Sequence, residues 1–124
     1  MRRGRILLGG RTWAAEAEFA RTSFERLRGL LGRRALGPGA ALVIERCNAV
    51  HTVGMRFALD LVFLDRRWRV TRVVRGVRPG RLMVWGGWRS ARVVESEAGC
   101  LDVDALRAGD ALFFEGEDVE RVRA

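Results

Sequence analysis

Residues 59–64, Leu59-Asp60-Leu61-Val62-Phe63-Leu64, are apolar at every position except Asp60. Because successive side chains of a strand point to opposite faces of the sheet, this run predicts a central strand that is covered on both sides. Its one carboxylate, Asp60, is expected to be buried and paired, and Arg56 and Arg46 are the candidate partners. The alternative is that Asp60 lines a small cleft.

Further strand patterns lie on both sides of this stretch. They cover residues 5–8, 13–19, 41–45, 68–74, 92–97 and 111–115. Thr22 and Glu25 match a capping box, and the apolar spacing that follows predicts one short amphipathic helix over about residues 23–31. Residues 102–106 predict a single helical turn. About seven short strands with one helix predict an α+β domain, predominantly β, in a compact barrel-like or sandwich arrangement. At this length, residues 1–124 are expected to form a single domain.

Residues 47–65 carry a specific motif. They begin Cys-Asn-Ala-Val-His-Thr and continue Met-Arg-Phe-Ala-Leu-Asp. This stretch resembles the widespread prokaryotic family called domain of unknown function 192, and the similarity extends over about residues 22–112. The resemblance implies a small, mostly β domain and no agreed activity. The chain departs from the family pattern at three places, since Ala58 replaces a proline, Trp68 replaces a turn glycine, and Ser96-Glu97 replaces an apolar residue and a proline. If position 68 requires a positive φ, tryptophan there is strained, so we expect a different turn type.

Composition restricts the possible chemistry. All 23 basic residues are arginine, and the sequence has no lysine or tyrosine and one histidine, His51. Schiff-base chemistry on lysine, tyrosine acids and multi-histidine metal sites are therefore excluded.

The charge is segregated along the chain. Residues 66–92 carry nine arginines and no acid, whereas residues 93–124 carry nine acids and three arginines. If the acidic segment neutralises the central one in the fold, the free basic surface belongs to residues 1–34, which carry a net +6.

The N-terminal arginines precede a short apolar run, residues 6–8. A secretory signal needs an apolar core of about 7 to 15 residues and a membrane span about 20. We therefore expect a cytoplasmic protein without a membrane span, with Cys47 and Cys100 reduced. We also expect a monomer.

Cys47, His51 and Asp60 are the candidate catalytic residues, because a nearby imidazole lowers the pKa of a thiol. Four extended residues span about 13 Å, so Cys47 and His51 meet only if residues 48–50 turn. The favoured interpretation is structural, with Cys47 packed in the core and His51 bonded to backbone. Cys47, His51 and Cys100 give at most three zinc ligands, which lie far apart in sequence and include no Cys-x-x-Cys pair, whereas structural zinc takes four ligands. No metal and no cofactor are predicted.

Residues 76–91 interleave arginines with tryptophans, a combination that suits single-stranded nucleic acid or an acidic partner. Alternatively, both tryptophans fold back over the core. The predicted binding residues are Asn48, Thr52, Met55, Arg56, Arg78, Arg81, Trp85 and Trp88.

The predicted function is that of a small cytosolic binding or accessory domain with no assignable reaction. Its site is placed on residues 47–55, Asp60 and the arginines of residues 76–91. One alternative is a thiol-dependent enzyme that uses Cys47 with His51. The other is an arginine-rich module that binds nucleic acid or an acidic partner.

Overall fold

The computed structural model describes residues 2–20, 22, 30 and 32–117. Within these residues the chain forms nine strands and one 3-10 turn, Val103–Ala105. The strands are β1 (Arg2–Leu8), β2 (Arg11–Ala20), β3 (Ala40–Glu45), β4 (Ala49–Val50), β5 (Leu59–Leu64), β6 (Val70–Val77), β7 (Val84–Trp85), β8 (Arg92–Glu97) and β9 (Leu112–Gly116). The predicted β-rich class and the helical turn near residue 103 are confirmed. The predicted helix at residues 23–31 lies almost entirely outside the described residues.

Seven strands form one sheet in the order β6-β5-β8-β3-β2-β1-β9, and β4 pairs with β7 in a small separate sheet. The β2–β3 pair is parallel, and the other strand pairs are antiparallel. Register shifts in the β1–β2 and β5–β6 pairs bend the large sheet. Its two ends approach each other at an isolated bridge between Arg69 and Ala111. The sheet is therefore curled but is not a closed barrel.

Two apolar clusters cover the two faces of this sheet. Val62 and Leu64 of β5 lie in one cluster, whereas Leu59, Leu61 and Phe63 lie in the other. All six residues of β5 are buried, and the strand lies between β6 and β8. The expectation of a central strand covered on both sides is therefore confirmed. We call the cluster around Leu59, Leu61 and Phe63 the ribbon-side cluster, because Val50 of β4 and Val84 of β7 also belong to it.

The turn at Trp68 corrects one expectation. We expected a turn that avoids a positive φ, but Trp68 has φ 64°. Asp65 holds this turn, because its Oδ1 accepts the backbone N–H groups of Arg67 and Arg69 at 2.8 and 2.9 Å. The indole also stacks near Phe19 and lies 4.7 Å from the Arg92 guanidinium carbon. Aromatic packing thus offsets a backbone strain of about 1 kcal/mol.

Candidate functional site

The three candidate catalytic residues are not brought to one place. Cys47 is half-buried and packs against the ribbon-side cluster, where its thiol donates to the Ala49 carbonyl at 3.1 Å. Asp60 alternates with Leu59 and Leu61 along β5, so its side chain lies on the opposite face of the sheet. Cys47 and Asp60 therefore cannot act on one substrate.

His51 is exposed and makes no hydrogen bond with the described part of the chain. The expectation that His51 bonds backbone is therefore wrong, whereas Cys47 does pack against the core as expected. The other thiol, Cys100, is no better suited to nucleophilic chemistry. Burial raises its pKa, and so do the nearby charges of Glu97 and Asp60. A raised pKa disfavours the thiolate that a nucleophile requires.

Asp60 has partners other than the predicted arginines. Its carboxylate accepts the backbone N–H of Gly76 at 2.9 Å and that of Gly99 at 3.0 Å. Gly76 lies where the β5–β6 register shifts, and Gly99 lies in the turn after β8. Among the described residues no arginine pairs with Asp60, because two positive-φ glycines bring their amides to it instead. The Asp60 carboxylate therefore has a structural role, because its hydrogen bonds link β6 to the turn after β8.

Replacing Asp60 by Asn is expected to destabilise the fold by about 2 kcal/mol. The amide nitrogen would face one of the two backbone N–H donors, which would then have no acceptor. Urea unfolding measures this loss. Asp104→Asn, at an exposed residue that pairs with Arg75, should change stability by less than about 0.5 kcal/mol. Equal effects of the two substitutions would contradict the role given to Asp60.

A wide cleft lies at one end of the β4–β7 ribbon, by which we mean residues 48–53 and 78–86. Its volume is about 770 Å³. Its charged and aromatic lining comprises Glu45, Arg46, Asp65, Arg66, Arg67, Trp88, Arg89 and Arg92. We call it the arginine cleft.

The two acids of the arginine cleft are already engaged. Glu45 pairs with Arg92, and Asp65 Oδ1 accepts the amides of its own turn. The side chains of Arg66, Arg67 and Arg89 are exposed and form no ion pair with the described part of the chain, and the same holds for Arg46. Four guanidinium groups therefore face solvent around one cleft.

Trp88 stands at the rim of this cleft with 90% of its surface exposed. It contacts Trp85 edge-on, with ring centroids 5.1 Å apart and planes at 87°. Trp85 is 38% exposed, and its carbonyl accepts Arg72 Nη1 at 2.6 Å. The alternative in which both tryptophans fold back over the core is therefore wrong for Trp88.

The described part of the acidic segment, residues 93–117, leaves the central arginines largely free. Of its described carboxylates, Asp104 pairs with Arg75 and Glu115 pairs with Arg5. Glu97 instead accepts the amides of Leu36 and Gly37. Within the described ranges, the basic surface thus stays with residues 66–92 and is not confined to the first third of the chain.

The predicted binding residues separate into two groups. Asn48 lines the arginine cleft with Trp88, and its carbonyl accepts Gly86 N–H at 2.7 Å. The others lie away from the cleft lining. Met55 packs on the ribbon-side cluster, Thr52 is buried, and Arg56, Arg78 and Arg81 are exposed.

None of the five cleft arginines was among the predicted binding residues, although the predicted site on the arginines of residues 76–91 included Arg89; the five are Arg46, Arg66, Arg67, Arg89 and Arg92. The acid-free run of residues 66–92 is the signal that marks four of them. Arg46 has φ 53° immediately after β3, a conformation that no sequence pattern indicates.

A second hollow lies beside β1 and β2, with a volume of about 390 Å³. Its charges offset one another, because Arg3 and Arg33 face Glu16, Glu18 and Glu117. Arg33 is paired with Glu18 at 2.8 Å, and this bond is the main cause of the lowered pKa of Glu18. The arginine cleft is therefore the better candidate for an anionic ligand.

A family model matches residues 6–114, and the family is DUF192, described as Uncharacterized ACR. No curated protein matches the chain. One similar structure is a protein of unknown function from Novosphingobium aromaticivorans DSM 12444, with 20% identity and a TM-score of 0.76 over 90% of this chain and 83% of that one. Another is described as “a putative transcription regulator” from Sinorhizobium meliloti 1021, with 22% identity and a TM-score of 0.74 over 91% and 92% of the two chains. At these identities the likeness shows the fold alone.

No helix in the described ranges is long and apolar enough to cross a membrane. The two cysteines are not bonded to each other.

Proposed function

Because the chain belongs to DUF192, an uncharacterised family that supplies no reaction, we propose its function from the chemistry of the arginine cleft: it binds single-stranded nucleic acid. One observation carries this proposal. Trp88 is 90% exposed and stands beside four arginines that have no ion-pair partner in the described chain. Covering an exposed aromatic ring gives the largest gain in binding free energy when the ligand itself presents flat rings that can stack on it.

The two kinds of side chain have separate tasks in this proposal. Arg46, Arg66, Arg67 and Arg89 bind backbone phosphates through charge-assisted hydrogen bonds, for which the planar guanidinium is well suited. Trp88 stacks on a base. Trp85 contacts the Trp88 ring edge-on and restricts its rotamers before binding. Less side-chain entropy is therefore lost when a base stacks on Trp88. Neither task reads sequence, so we expect weak base preference and affinity that falls with salt.

An acidic protein partner is the competing ligand. Carboxylates would satisfy the arginines equally well, but they offer nothing to an exposed indole. Trp88 therefore favours nucleic acid. In this proposal the chain acts in the cytoplasm as a monomer and a single domain. One copy of the chain therefore supplies all four arginines.

Fluorescence anisotropy with a labelled oligothymidylate tests the proposal. Trp88→Ala is expected to weaken binding about tenfold, the loss of one stacked base. Trp88→Phe should retain most of the affinity, because phenylalanine keeps a π face. Since Trp88 is exposed, neither substitution should alter unfolding by urea by more than about 0.5 kcal/mol.

A second variant tests the contribution of the cleft arginines to oligonucleotide binding. Arg66→Ala combined with Arg89→Ala should weaken oligonucleotide binding by at least about tenfold at low salt. A matched control is Arg11→Ala with Arg107→Ala, which removes two exposed arginines outside the cleft. Equal losses in both double variants would indicate a diffuse charge effect and contradict the site. Tighter binding of polyglutamate than of oligothymidylate would overturn nucleic acid in favour of an acidic protein partner.

A further inference from the structure

The far end of the β4–β7 ribbon carries three exposed aliphatic side chains. Leu82 is 84% exposed, Met83 62% and Val53 45%. With Arg78 and Arg81 they form what we call the ribbon tip. Singly exposed apolar residues are common, but three that share one hydrogen-bonded tip mark an interaction surface.

Hydrogen bonds to one buried residue fix the shape of the ribbon tip. Thr52 is fully buried, and its hydroxyl donates to the Arg78 carbonyl at 2.7 Å and accepts the Arg81 N–H at 2.9 Å. The Thr52 backbone also bonds Arg81 O and Gly80 N, both at 2.9 Å. The aliphatic side chains are thus held outward by an ordered backbone. Their exposure is a built feature of the loop.

The sequence of the ribbon and of the residues on both sides of it carries charge of one sign. Residues 46–59 and 66–94 contain no aspartate or glutamate. Arg78 and Arg81 are exposed and form no ion pair with the described part of the chain. The surface therefore combines projecting aliphatic groups with cations at their base.

We infer that the ribbon tip docks on an anionic lipid surface. Leu82 and Met83 project outward, so they can enter the soft boundary between headgroups and acyl chains. Arg78 and Arg81 can meanwhile bind lipid phosphates. An acidic protein would need a hollow shaped to receive Leu82. Nucleic acid would leave the aliphatic groups in water.

The ribbon tip is distinct from the arginine cleft. Asn48 and Gly86 bond at the cleft end of the ribbon, whereas Thr52 and Arg81 bond at the other end. Four extended residues separate the two ends by about 13 Å. Docking at the tip therefore leaves the cleft open, and the two proposals can fail independently.

Co-sedimentation of the full chain with vesicles tests the inference. Binding to phosphatidylcholine vesicles that contain phosphatidylglycerol should be at least about fivefold stronger than binding to pure phosphatidylcholine. Leu82→Ser with Met83→Ser should weaken binding to the anionic vesicles by at least about fivefold. Phe113→Ser, which removes an exposed aromatic residue on β9, is the matched control and should leave vesicle binding unchanged.

Trp88→Ala should also bind vesicles like the unmodified chain, and the Leu82/Met83 variant should keep its affinity for oligothymidylate. Failure of the chain to sediment with either vesicle would overturn the inference. Unchanged vesicle binding by the Leu82/Met83 variant would overturn it as well. Preference for polyglutamate over anionic vesicles, lost in that variant, would assign the tip to an acidic protein instead.

Discussion

Glu95→Gln is expected to stabilise the protein by about 3 kcal/mol at pH 8. Glu95 is 4% exposed in the middle of β8, where it lies opposite Leu42 on one side and Leu61 on the other. It has no hydrogen-bond partner among the described residues. Burial raises its pKa from the ordinary 4.5 to about 7, because a carboxylate loses its hydration there and none of the described residues gives it a hydrogen bond in exchange.

The direction of the pH dependence follows from that shift. The folded state holds the proton more tightly than the unfolded state, so protonation of Glu95 favours folding. This contribution is complete below pH 4.5 and is lost as the pH rises through about 7. Glutamine is uncharged at every pH, so the variant and the unmodified chain should have similar stability near the acid end.

Urea unfolding at several pH values measures the difference between the two chains. Glu97→Gln is the matched control, because Glu97 lies two residues along β8 and accepts two backbone amides. That substitution should lower stability at pH 8, opposite in sign to Glu95→Gln. A Glu95→Gln variant no more stable than the unmodified chain at pH 8 would show that Glu95 carries no such penalty.

Gly86→Ala is expected to cost about 3 kcal/mol. A Cβ built at Gly86 would lie 2.1 Å from a ring carbon of Phe63, and Phe63 is fully buried in β5. The Phe63 ring cannot move without disturbing the ribbon-side cluster. The expected consequence is displacement of β7, with loss of the 2.7 Å bond from Gly86 N–H to Asn48.

Gly87→Ala separates this clash from backbone strain. Gly87 has φ 100°, and nothing lies within 4 Å of a Cβ built there. Its substitution should cost about 1 kcal/mol through backbone conformation alone. Thermal unfolding compares the two variants. If Gly87→Ala proves as damaging as Gly86→Ala, the close approach of Phe63 does not determine the position of β7.

The long strands were predictable because their side chains report burial directly. The apolar run of β5 indicated cover on both faces, and the pattern that ends in Glu97 gave β8 with the bounds that the structure shows. The turn at Asp65 agrees with its residue type, because a short carboxylate bonds nearby backbone amides, here those two and four residues ahead.

The features that the sequence did not predict depend on contacts between distant parts of the chain. β4 and β7 have two residues each and exist because Val50 and Val84 pack on the ribbon-side cluster. Asp60 is satisfied by Gly76 and Gly99, whose amides approach it through a register shift and a turn that periodicity does not predict. The arginine cleft likewise joins residues from three separate segments, which a linear charge count cannot assemble.

The salt dependence of oligothymidylate binding tests the arginine cleft most directly, because it separates phosphate contacts from stacking. The slope of log affinity against log salt should fall in magnitude by about 1.4 in the Arg66→Ala, Arg89→Ala variant, since each of the two lost phosphate contacts to a single strand contributes about 0.7. Trp88→Ala should lower the affinity about tenfold and leave the slope unchanged. Unchanged slope and affinity in both variants would contradict nucleic-acid binding at this cleft.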